Sequence, residues 1–117
     1  MVYTGSTEIG AGSIPWNPHP SFRGVSMKNL ISGSDTAGRL SCHLVRIEPF
    51  CAIGAHIHDG RMELHEVIEG GGICVTGDAR YEYTPGVVTV IHDNMRHAVE
   101  AGESGLLLLA KFSPALV

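Results

Sequence analysis

The segment His56-Ile57-His58-Asp59-Gly60-Arg61-Met62-Glu63 governs the reading of the whole chain. Two histidines two residues apart share a face of an extended strand, because side-chain direction repeats every second residue. Five residues after His58, beyond the Asp59-Gly60 turn, comes the carboxylate of Glu63. Imidazole and carboxylate together suit Zn, Fe, Mn, Ni or Cu. The expectation is a β scaffold that holds His56, His58 and Glu63 and brings His97 to meet them from a distant strand.

At 117 residues the chain has material for one domain with a real core and too little for two. Its 44% hydrophobic content marks a globular protein rather than a disordered one. The net charge is −4, and the eight Lys and Arg residues form neither a run nor a stripe. That argues against nucleic acid and against an anionic membrane surface as partners. No segment is apolar over the roughly 18 to 20 residues of a membrane span. Residues 1–20 have neither the basic start nor the apolar centre of a signal peptide. Cys42, Cys51 and Cys74 are odd in number and lack CxxC spacing, so free thiols in a reducing, cytoplasmic setting are the simplest expectation.

Residues 1–21, with Gly5, Gly10, Gly12, Pro15, Pro18 and Pro20, read as an irregular arm that Trp16 could fasten to the body. The domain proper is expected over 22–117. A strand runs from Gly24 to Ile31, and a stretch dense in turn formers occupies Ser32 to Gly38. Leu40, Cys42 and Leu44 alternate with Ser41 and His43, whereas Val45 and Ile47 continue on the other parity. Either both faces are covered there or a bulge exchanges them. Further strands are expected at Ala52–His58, Glu63–Ile68 up to an interruption at Gly70-Gly71-Gly72, Ile73–Thr76, Tyr81–Tyr83 after a tight Gly77-Asp78 turn, Val87–Ile91 after Pro85-Gly86, Arg96–Glu100, and Leu106–Phe112 after a loop at Ala101–Gly105. No stretch of any length has helical period with start and stop signals. Short strands punctuated by Gly and Pro imply an all-β sandwich or barrel.

The spacing of Gly54, His56, His58, Glu63 and Gly70 resembles the first motif of the cupins. Pro85-Gly86, a strand, and the loop from His92 to His97 resemble the second. Asn94 stands where the family favours Gly, and it is one of the few residues that tolerate a left-handed backbone. His92 stands where Pro is usual, and Ala101 replaces an Asn that often closes the motif. The resemblance covers about residues 40 to 113. It implies a double-stranded β-helix or jelly-roll barrel, and one divalent transition metal held by His56, His58, Glu63 and His97 in the barrel mouth. It also implies a homodimer. A set of three His and one Glu leaves a divalent ion a net positive charge, and an octahedral ion two positions for a small-molecule ligand or substrate.

His65 lies two residues beyond Glu63 on the same inward face, which makes it the candidate general base or acid. Met62, Met95 and Phe50 are candidates for an apolar lining, although ordinary packing explains each equally well. A solvated loop position is the simpler reading for Arg61 and His92, sheet packing for Tyr81 and Tyr83, and a site role is less expected of His43 and His19 than of His92. Three functional readings follow. One is a metal-dependent enzyme on a small organic acid, enol or sugar, acting as oxygenase, isomerase, lyase or decarboxylase. The others are a small-ligand binder anchored by the metal, and a barrel merely stiffened by it.

Overall fold

The computed structural model describes residues 1–117. Strands β1 (Val2–Thr4) and β2 (Thr7–Ile9) form a hairpin that stands apart from the main sheet. A 3₁₀ turn over Ala11–Ser13 leads to β3 (Asn17–Pro18), which pairs with β4 (Val25–Ile31) at the sheet edge. The Trp16 ring lies under the Arg46 guanidinium at 4.1 Å and within 5.1 Å of the Lys28 ammonium, so cation–π contacts tie this arm to the body. One short helix, α1 (Gly33–Thr36), occupies the turn-rich segment, and Asp35 caps it by accepting from the Ser32 N–H at 3.0 Å. The rest is β5 (Ser41–Ile47), β6 (Ala52–His56), β7 (Met62–Thr76), β8 (Ala79–Tyr83), β9 (Val88–Ile91) and β10 (His97–Ser113).

The architecture is the expected all-β jelly roll, with all neighbouring strands antiparallel. Its organising element is the pairing of β7 with β10, which runs from Met62↔Ser113 at one end to Thr76↔His97 at the other. The Glu63 end of this ladder is flanked by β9 and β5, and β4 and β3 extend that sheet. The His97 end is flanked by β6 and β8 in the facing sheet. One ladder therefore belongs to both walls of the barrel, with the core between them built from Val45, Ile47, Val67, Cys74, Leu108 and Tyr83 among others.

Two expected breaks are absent, and their absence matters. Gly70-Gly71-Gly72 does not end a strand, since β7 continues through it, and Ala101–Gly105 is a register shift inside β10 rather than a loop. The glycines let the ladder turn a corner. Gly70 has φ +83°, and a Cβ there would collide with the Gly105 backbone. A Cβ on Gly72 would collide with the Glu100 carbonyl. At β5 the parity question resolves without a bulge in that strand. Ser41, His43, Val45 and Ile47 face inward, and Cys42 and Leu44 face outward. The buried polar pair at the start of the strand made the apolar pattern misleading.

The close approach at Gly72 carries a prediction. Gly72→Ala should lower unfolding stability by about 2 kcal/mol, because the obstacle is backbone and not a flexible side chain. Gly10→Ala, whose added Cβ meets open space, should stay within about 0.5 kcal/mol of the unsubstituted protein. Urea titrations of both variants give the comparison.

Candidate metal centre

The two walls supply different donors. His56 ends β6 and His97 begins β10, and the two residues are register partners in one sheet. Glu63 is the second residue of β7 in the other sheet, opposite Ile91 and Phe112. His58 lies just past the end of β6, so the connection between the sheets carries it, not the strand as expected. The Asn94 N–H donates to the His58 carbonyl at 3.2 Å, joining this connection to the loop before His97. Asn94 adopts φ +61°, the left-handed conformation its position calls for.

One ligand atom from each of His56, His58, Glu63 and His97 lies within 4.8 Å of every other. The Nε2 atoms of His56 and His58 are 3.0 Å apart. Glu63 Oε1 is 3.2 Å from His97 Nε2 and 3.6 Å from His58 Nε2. Donors about 2.1 Å from a shared ion would be separated by about 3.0 Å at right angles and about 3.4 Å in a tetrahedron, so these spacings fit a cation. The tautomers fit as well. His56 Nδ1–H donates to the Gly54 carbonyl at 2.8 Å, and His97 Nδ1–H donates to the Met95 carbonyl at 2.9 Å. In that tautomer each ring turns an Nε2 lone pair toward the centre, the arrangement by which backbone carbonyls orient metal-binding histidines. Glu63 Oε1 and His97 Nε2 are buried, face one another and have no hydrogen-bond partner. Two adjacent acceptors with no hydrogen between them are satisfied by a cation.

Electrostatics prepares the same state. Burial lowers the proton affinity of His56, and it lowers that of His58 to a pKa of about 4, so both rings are neutral near pH 7. Burial opposes the charge on Glu63, but the hydrogen bond from His65 and the contact with His97 overcome it and hold the carboxyl well below its usual range. Glu63 is thus an anion that is only 5% exposed.

His65 differs from its expected role. It is 3% exposed and does not line the cavity beside the four donors. Its Nε2–H donates to Glu63 Oε2 at 2.9 Å, and its Nδ1 is 2.8 Å from the Tyr83 hydroxyl. Burial disfavours the charged ring, but Cys74 and the Glu63 carboxylate outweigh that and raise its pKa to about 9. With both nitrogens engaged behind Glu63, the ring orients the carboxylate and reaches no bound molecule. Strand parity places His65 inward, as expected, but parity does not report depth.

The cavity beside the donors measures about 60 Å³. Since roughly 10–15 Å³ on this scale admits one water, it accommodates only a few non-hydrogen atoms. Its walls are Met27, Val45, Ile53, Phe112 and Leu116, and its one polar side chain besides the donors is His19. The expected lining residues lie elsewhere: Phe50 is 79% exposed, Met62 46% exposed, and Met95 borders a different surface hollow. His92 is exposed, and Arg61 donates from Nε to the Ala115 carbonyl at 3.0 Å.

The C-terminal segment that carries Leu116 is fastened by a buried polar row. The Leu116 N–H donates to Ser41 Oγ, the Ser41 hydroxyl donates to His43 Nε2, and His43 Nδ1–H donates to Asn29 Oδ1, each at 2.8 Å. Burial keeps His43 neutral, as this pattern requires. Ser41 and His43 are fully buried, so the row holds the tail and presents no nucleophile. Their sequence signal was the polar residue at each inward position of β5, visible only once the strand's facing is known.

No protein-family model and no curated protein matches the sequence. Solved structures do match. A protein described as a predicted oxalate decarboxylase from Thermotoga maritima superposes with a TM-score of 0.84 at 20% identity, over 92% of this chain and 99% of its own. An RmlC-like cupin from Shewanella frigidimarina gives 0.79 at 16% identity, over 92% and 90%. The polyketide cyclase RemF from Streptomyces resistomycificus gives 0.78 at 19% identity, over 92% and 78%. The chain therefore has the cupin fold.

Two predictions follow from the buried groups. In metal-free protein, His43, His56 and His58 bind protons less well than in the unfolded chain, so stability falls as pH drops below about 6.5, for His58 down to about 4. The stability contributed by charged His65 is complete below about 6.5 and is lost as pH rises through about 9. Thermal midpoints of chelator-treated protein between pH 4 and 10 should peak in between, and a profile that is flat from pH 7 to 4 would contradict the assignment. Separately, Tyr83→Phe leaves the buried His65 Nδ1 without its partner. It should lower unfolding stability by about 1–3 kcal/mol in denaturant titrations.

Proposed function

We propose that this protein binds one divalent transition metal through His56, His58, Glu63 and His97, and acts on a small organic acid or enol held beside it. The observation that carries the reading is the buried, unpartnered pair of Glu63 Oε1 and His97 Nε2 within a converging set of four donors at the edge of a cavity. A divalent ion bound there supplies Lewis acidity toward a carbonyl, enol or carboxylate oxygen. The chain does the rest. Gly54 and Met95 carbonyls fix two imidazoles, His65 fixes Glu63, and the apolar walls keep water from the reacting end of the substrate. A cavity of about 60 Å³ with apolar walls favours a short acid or enol over a sugar, whose hydroxyls would find no partners there. The polyketide cyclase and the predicted oxalate decarboxylase that share this fold support an enzymatic reading, and at 19% and 20% identity they do not select the reaction.

A second reading, a non-catalytic receptor for a small ligand, draws support from the same walls, since no carboxylate or lysine stands beside the donors. Turnover of small 2-oxo and 2-hydroxy acids by metal-loaded protein separates the two. Binding without product favours the receptor.

The metal assignment has its own test. His58→Ala and Glu63→Ala should each weaken metal retention by more than about 100-fold while circular dichroism stays β-rich. Elemental analysis after dialysis reads the outcome, and stoichiometric metal in both variants would exclude the assigned site.

A further inference from the structure

His19 is the one polar side chain that faces the cavity without belonging to the four-donor set. It comes from the arm, outside the strands that carry Met27, Val45, Ile53 and Phe112, and its placement is specific. Its backbone N–H donates to the Val25 carbonyl at 2.8 Å, pinning the arm to β4. The Ser21 N–H donates to His19 Nδ1 at 3.0 Å. That bond makes Nδ1 an acceptor, so the neutral ring carries its hydrogen on Nε2, which has no partner within the protein. The ring packs on Phe22 with centroids 4.7 Å apart, and Phe22 in turn lies 6.1 Å from the His56 ring. Phe22 occupies the space over Gly54, where a Cβ would come within 3.0 Å of the aromatic ring. The absence of a side chain at Gly54 thus admits Phe22, and Phe22 seats His19 at the cavity. An oriented donor in an otherwise apolar wall is the usual means by which a small site fixes its ligand.

Building on the metal-centre reading above, we propose that His19 is the second anchoring point of this cavity. A small 2-oxo or 2-hydroxy carboxylate engages the four-residue centre through one end, and His19 Nε2–H donates a hydrogen bond to another oxygen of the same molecule. The short carbon part lies against Ile53, Phe112 and Leu116. The ligand class follows from the walls: one donor besides the metal-binding side chains, space for few atoms, and apolar surface elsewhere.

The test uses the full chain loaded with Co²⁺, whose visible absorption reports ligands entering the metal's coordination, with pyruvate as probe and azide as a single-point control. His19→Phe keeps a packed ring and removes the donor, and His19→Gln keeps a donor. Pyruvate affinity should fall on the order of tenfold in His19→Phe, the worth of one hydrogen bond in a desolvated site, and should largely return in His19→Gln. Azide affinity and Co²⁺ content should stay within about twofold in both variants. Unchanged pyruvate affinity in His19→Phe would overturn the role of His19. A wild-type spectrum that responds to azide and ignores pyruvate would overturn the ligand class while leaving the metal centre intact. A wild-type protein that takes up no Co²⁺ would overturn the metal-centre reading and this inference together.

Discussion

Everything at the candidate site depends on a ladder that bends. Glu63 lies near one end of the β7–β10 pairing and His97 at the other, because the strands are antiparallel and each residue sits near the start of its own strand. Along a straight ladder the thirteen residues from Glu63 to Thr76, the register partner of His97, would span about 40 Å. Yet Glu63 Oε1 and His97 Nε2 are 3.2 Å apart. The turn at Gly70–Gly72, opposite the register shift between Ala101 and Leu106, closes that distance by carrying one ladder from the first wall of the barrel to the second. Side chains at Gly70 or Gly72 would drive Cβ atoms into the facing backbone, so the glycines serve the site from a distance, with no contact to any donor.

Once the ends meet, the balance of charge decides what the site favours. Three imidazoles and one carboxylate crowd a buried space in which burial alone would neutralise His56, His58 and Glu63. Burial keeps His56 and His58 neutral, and backbone carbonyls orient the rings of His56 and His97. Glu63 stays charged because His65 donates to the oxygen that faces away from the centre, leaving Oε1 free. A hydrogen-bonded cation behind an anionic donor also tempers the negative charge a bound metal would experience. The unpartnered Glu63 Oε1 and His97 Nε2 are a cost to stability that a bound cation would relieve.

Both ends of the chain help form the cavity, yet neither belongs to the paired strands around the donors. His19 arrives with the arm, and Leu116 with a tail tied to Ser41 and to the Gly38 carbonyl. Proteins at 16–20% identity share this fold, and segments outside the paired strands are in general the more variable parts of a fold. A cavity wall built from an arm and a tail leaves little trace in the spacing of the central motifs.

The division between sequence and tertiary structure follows the range of the interactions. Period-two alternation and the Gly, Pro and Asn turn signals act over a few residues, so the all-β class and most strand positions were legible, as was the left-handed backbone at Asn94. The convergence of His56, His58, Glu63 and His97 was expected from the motif resemblance, and the fold brings one ligand atom of each within 4.8 Å of the others. What local signals could not reveal was depth and distance. The same parity that placed His65 inward could not tell a side chain beside the cavity from one sealed behind Glu63. Three consecutive glycines read locally as a break, and only the facing strand makes them a corner. His19, Ser41, His43 and Leu116 acquire their roles through partners up to 75 residues away, as between Leu116 and Ser41, and no pattern within a single strand encodes such a contact.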